Sequence, residues 1–155
     1  MLAKHSHTQP RKRWLALWLG LVLWLPLVGV ANGQTTVNVD ALLIHASDRP
    51  AALDARLDRV EYRLRRIFQF EHYALLNNTQ SLLTLPSQTR LDLGHGYTLH
   101  INAAPRNGRV RAEVQWYQGR TRLLSTSVAQ RRGVPAILGG PAYQGGTLIL
   151  VLEFN

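Results

Sequence analysis

The sequence predicts a mainly β fold with one helix, an α+β arrangement in which an amphipathic helix packs on an antiparallel β-sandwich or partly open barrel. Three observations lead there. Short segments of alternating hydrophobicity, separated by turn residues, succeed one another from Ser81 to Phe154. A single stretch carries apolar residues at steps of four and three: Leu53, Leu57, Val60, Leu64 and Ile67. The last segment, Leu148-Ile-Leu-Val-Leu152, is apolar at every position and suits a strand covered on both faces.

Residues 1–33 stand apart from this pattern. Lys4, Arg11, Lys12 and Arg13 precede an uninterrupted apolar block from Trp14 to Val28, and the small residues Ala31 and Gly33 follow. A basic flank, an apolar core and small residues are the order of an export signal, with cleavage expected before Gln34. The alternative is a retained inner-membrane anchor over residues 14–31, since that block reaches the lower end of a spanning length of roughly 17–25 residues. Either way the positive flank stays inside and residues 34–155, expected to be one globular domain, are exported to the periplasm or the medium.

The mature segment opens with Thr36–His45, whose alternation of Val37, Val39, Ala41 and Leu43 predicts a strand. Ser47 or Asp48 then offers an N-cap and Pro50 a first-turn residue, so a helix is expected from about residue 50. On that helix Arg56, Arg59, Arg63 and Arg66 form a row beside the apolar stripe. Asp54, Asp58 and Glu61 with Arg65 line the opposite side, Glu61 and Arg65 at the i,i+4 spacing of a stabilising pair. Tyr62 is expected to point to solvent. Phe68–Leu76 passes from helix end to strand, and Asn77-Asn-Thr-Gln80 has turn chemistry.

Strands are then expected at 81–85, 90–93, 97–103, 109–117, 122–129, 134–138 and 147–154. Asn107-Gly108 predicts a type I′ hairpin and Gln118-Gly119 another turn. Val110, Ala112, Val114 and Trp116 alternate with Arg109, Arg111, Glu113 and Gln115, so that strand has one solvated face. The cluster Gly139, Gly140, Pro141, Gly145 and Gly146 is expected to form a demanding loop between the last two strands. An anion-accepting backbone loop is a second reading, although no P-loop or dinucleotide fingerprint is present.

Composition narrows the chemistry. The chain has no cysteine, which excludes disulfide frameworks, thiolate nucleophiles and cysteine-based metal sites. Of 18 basic residues against nine acidic ones, four basic and no acidic residues lie in the leader. Beyond it 14 arginines face nine acids, a net charge of +5 that suits an anionic envelope component or an acidic envelope protein. Nucleic acid is not expected as a partner, nor is any cofactor. Four histidines follow the leader, His45, His72, His95 and His100, in no metal-ligand spacing. A small exported hydrolase or carbohydrate-active enzyme would draw on His45, Asp48, His72 or His95, with Asp92 and Ser127 as further members, but no nucleophile elbow supports it.

The order of these segments resembles a group of small exported bacterial proteins of unassigned function. The likeness runs through Ile44-His-Ala-Ser47, Leu64-Arg-Arg-Ile-Phe-Gln-Phe-Glu-His-Tyr73, Gly133-Val-Pro-Ala-Ile-Leu-Gly-Gly-Pro141 and Gly146-Thr-Leu-Ile-Leu-Val-Leu152. It implies export and brings no functional residues with it. Val134–Pro141 also looks like the Val-Pro-x-Leu-Gly pattern of outer-membrane secretins, without the long secretin domain or its membrane strands. The leading expectation is a non-enzymatic interaction or structural module of the bacterial envelope or a secretion-associated assembly. Its expected contact surface is the row Arg56, Arg59, Arg63 and Arg66.

Overall fold

Alternation along the strands leaves each sheet with an apolar face, and two such faces closing on each other make the core. The computed structural model describes residues 34–50 and 54–155; the expected leader and Leu53 lie outside the described residues. Eight strands form two antiparallel sheets: β1 (Thr35–Ser47), β2 (His72–Leu85), β3 (Ser87–Gly94), β4 (Tyr97–Arg106), β5 (Arg109–Gln118), β6 (Thr121–Gln130), β7 (Ala136–Tyr143) and β8 (Gly146–Phe154). One sheet has the order β2-β1-β8-β7 and the other β3-β4-β5-β6. Among the described residues the architecture is therefore a β-sandwich with one α-helix, not a closed barrel.

Between the sheets lie Val37, Val39, Ala41 and Leu43 of β1, Leu148, Leu150 and Leu152 of β8, and Val110, Ala112, Val114 and Trp116 of β5. The expected alternation of β5 is realised, with Arg109, Arg111 and Glu113 exposed on the outer side. β8 is a central strand, as its unbroken apolar run predicts, and Leu148–Leu152 are all buried. The reason it is apolar on both sides is a second core on the outer face of its sheet. There Ile149 and Val151, with Leu42, Ile44 and Ala46 of β1, receive Leu57, Val60 and Leu64 from the helical segment.

That segment differs from expectation at its start. A 3-10 turn, Ala55–Leu57, leads into α1 (Asp58–Ile67), and the cap is Asp54, whose carboxylate accepts the Arg56 N–H. Ser47 instead ends β1, and Asp48 Oδ1 accepts the Glu71 N–H at 3.3 Å. A buried β1 that runs to Ser47 leaves neither residue available as a cap. The helix ends where Phe68 turns to extended backbone, and the buried Tyr73 hydroxyl donates to the Phe68 carbonyl at 2.9 Å. Burial raises the Tyr73 phenol above its ordinary pKa, which keeps it a donor.

Two further expectations are corrected. Asn77-Asn-Thr-Gln80 is not a turn: β2 continues through it, paired with β1 across an irregularity next to Leu43 and Ile44. Pairing with β1 supplies the hydrogen bonds that these turn-forming residues would otherwise take from local structure. Nor do Gly139-Gly140-Pro141 form a loop. They belong to β7, whose register shifts between Gly139 and Ala142, and the reversal falls at Gln144-Gly145. A Cβ on Gly140 would collide with the buried Trp116 ring, so glycine there lets the sheets approach. The Asn107-Gly108 hairpin is as predicted, both residues having positive φ between the paired Arg106 and Arg109.

Candidate functional site at the helix edge

The arginine row is brought to the outer surface of the β2-β1-β8-β7 sheet, but its four members have different surroundings. Arg56 lies in the 3-10 turn. Its Nε and Nη2 donate to the two oxygens of Asp54 at 2.9 and 2.7 Å, a bidentate pair. Asp54 also accepts the Leu75 N–H at 3.1 Å, which ties the turn to β2. The Arg56 side-chain hydrogen bonds, helped by the two backbone N–H groups and opposed by desolvation, hold the Asp54 carboxyl far below the usual carboxylate range. Arg59 reaches down to Asp40 of β1, 3.7 Å away; that side chain is only 7% exposed and its Oδ1 has no hydrogen-bond partner.

Arg63 and Arg66 have no carboxylate within 4.0 Å among the described residues. The Arg66 guanidinium sits over the Tyr62 ring, 5.7 Å from its centre, a cation–π contact. Tyr62, Arg63, Arg66 and Ile67 form one wall of an open groove of about 650 Å³; Pro135 and Ile137, at the start of the edge strand β7, form the other. Tyr62 is 70% exposed, as its place opposite the core stripe predicts. Ile67, assigned by periodicity to the core stripe, is instead 58% exposed, and Val134 beside the groove is 40% exposed. The stripe is buried from Leu57 to Leu64, and at Ile67 it opens onto the groove.

On the opposite flank Arg65 Nε donates to Glu61 at 2.8 Å, the i,i+4 pair expected from spacing. Its guanidinium also lies over Tyr73. Sequence reasoning therefore placed Tyr62 at the surface, but it set Asp54 on the flank opposite Arg56, to which it is bonded, and missed Ile67, Pro135 and Ile137 as groove residues. A detectable signal existed in Val134-Pro135, an apolar pair next to a proline that cannot supply a strand N–H.

The candidate hydrolytic residues are divided between the two sheets, His45, Asp48 and His72 near the end of β1 and Asp92, His95 and Ser127 on the β3-β4-β5-β6 side. His45 Nε2 is 3.0 Å from the Tyr143 carbonyl and its ring packs edge-on against Tyr143. His95 occupies the exposed β3–β4 turn with positive φ. His100 stacks on Tyr117 at 4.7 Å on the outer face of the other sheet. Asp92 caps the β3–β4 turn through the Gly94 N–H, and Ser127 is exposed on β6. His72 is register partner of Ser47 and lies 3.9 Å from Glu71, yet no side-chain hydrogen bond joins it to Ser47 among the described residues. Among the described residues no group of three or more His, Asp or Glu is placed to hold a metal ion, and no helix is long and apolar enough to cross a membrane.

Compared with known proteins, the chain matches no family model, no curated protein and no solved structure.

Proposed function

We propose that the protein is a non-enzymatic binding module of the bacterial envelope or of a secretion-associated assembly, and that it docks an envelope protein in the groove between α1 and β7. The observation that carries this reading is the pairing of the exposed apolar side chains Tyr62 and Ile67 in the groove with two arginines that have no carboxylate within 4.0 Å among the described residues. An exposed apolar surface rimmed by polar groups suits a partner better than it suits water. Arg and Tyr are also the residue types that dominate binding energy at interfaces. Charge complementarity selects the occupant: a peptide segment with apolar side chains flanked by Asp or Glu.

The location rests on the basic and apolar order of residues 1–33, which is that of an export signal or anchor. Selection of a displayed random-peptide library on the full chain tests the docking claim. Enrichment of acidic peptides with apolar anchors is expected, with binding reduced at least about tenfold by R63E/R66E, the loss of one or two charge-assisted contacts. No enrichment, or enrichment that R63E/R66E leaves unchanged, would overturn it.

A further inference from the structure

A second arginine constellation lies at the end of the sandwich where the chain enters β1. A cavity of about 410 Å³ opens there between Thr35, the end of β2 at Leu85, the β4–β5 hairpin from Pro105 to Val110, and Arg132 of the β6–β7 connection. Three guanidinium-bearing residues, Arg106, Arg109 and Arg132, line it, and no acidic residue does. None of the three has a carboxylate within 4.0 Å among the described residues. The helix row, by contrast, has half its charge matched by Asp54 and Asp40.

Sequence and register make this grouping unfavourable on its own. Arg106 and Arg109 are directly paired across the Asn107-Gly108 turn, where like charges destabilise a hairpin. A third arginine from a connection distant in sequence adds to the same repulsion. The hairpin needs only Asn-Gly for its geometry, so folding does not call for arginine on both sides. An anion in the cavity converts the repulsion into attraction, and the guanidinium fork matches phosphate oxygens two at a time. Thr35 and Asn107 are further polar residues lining the same cavity, and Leu85, Pro105 and Val110 line it as apolar ones beside which an organic substituent can lie. The volume falls in the range of small-molecule sites, roughly 300–1,000 Å³.

We infer that Arg106, Arg109 and Arg132 form a binding site for a phosphate ester, separate from the α1–β7 groove. The ester is either a soluble one or the headgroup of an anionic phospholipid, since both present the same charged oxygens next to carbon.

Nuclear magnetic resonance of the full chain in zwitterionic detergent micelles tests this through the arginine Nε–Hε signals and the Asn107 and Gly108 amides. One arm adds glycerol phosphate and the other mixes phosphatidylglycerol into the micelles, both at constant ionic strength. Saturable shifts confined to these residues are expected in at least one arm, weakened about tenfold or more in R106Q/R132Q, whose amide spectrum otherwise stays that of the parent. Shifts with glycerol phosphate assign a soluble ester; shifts with phosphatidylglycerol alone assign a headgroup. No shift in either arm, shifts spread over all the arginines, or shifts that R106Q/R132Q leaves unchanged would overturn the site.

Discussion

The two ends of the helical segment share one sequence pattern and have different fates. At the N-terminal end Leu57 and Val60 are buried, Arg56 is held by Asp54, and Arg59 faces Asp40. At the C-terminal end Ile67 stands in solvent, Tyr62 is exposed, and Arg63 and Arg66 border a groove. The periodicity is continuous, so the difference comes from what lies beneath: Leu57, Val60 and Leu64 pack on β1 and β8, whereas Ile67 borders an open groove beside Pro135 and Ile137. An arginine row is thus two things at once, a fastening at one end and an unmatched charged rim at the other.

The largest contrast is expected between Leu64 and Ile67, one step apart on the same stripe. Leu64→Ala empties a fully buried site between α1 and β8 and is expected to cost about 2–5 kcal/mol. Ile67→Ala removes a mostly exposed side chain and should cost less than about 1 kcal/mol. Urea denaturation of both variants measures the difference, and equal losses would mean that the helix end is covered after all.

The next contrast lies between arginines. Arg59→Ala leaves the buried Asp40 carboxylate without its cation, an expected loss of about 1–3 kcal/mol in the same measurement. Arg63→Ala has no such partner to strand and should stay within about 0.5 kcal/mol of the parent. If the two variants melt alike, the division of the row into a fastened and an unmatched half is wrong.

A smaller effect belongs to Asp54. Its folded pKa is depressed, so its contribution to stability is complete above the ordinary carboxyl value of 3.8 and is lost as pH falls from there toward the folded value. Asp54→Asn should therefore be less stable than the parent at neutral pH, by an amount that shrinks as pH drops below 3.8. A gap that persists unchanged into strong acid would show that the carboxylate charge is not what holds the turn.

How much of this was legible in the sequence follows from where each cause sits. Local causes were readable: Asn107-Gly108 made its turn, Val110 to Trp116 faced inward, and Glu61 met Arg65. Causes that lie across the sandwich were not. Gly139-Gly140 looks like loop chemistry until the Trp116 ring is seen against Gly140, and Asn77–Gln80 looks like a turn until β1 is seen to pair with it. The site divides the same way. Spacing set the arginines on one edge, but Asp40 lies on β1, and the groove that leaves Ile67 exposed forms only where α1 meets Pro135 and Ile137. The grouping of Arg106 and Arg109 with Arg132 needed the closure of both sheets.

The docking claim is tested most directly inside the cell that makes the protein, by placing a photo-crosslinking residue at Tyr62 in one copy of the full chain and at Arg56 in another. A discrete protein adduct is predicted from position 62, lost when Arg63 and Arg66 are changed to Glu, with none from position 56. Adducts of equal strength from both positions, or an adduct from position 62 that survives the charge reversal, would contradict the account.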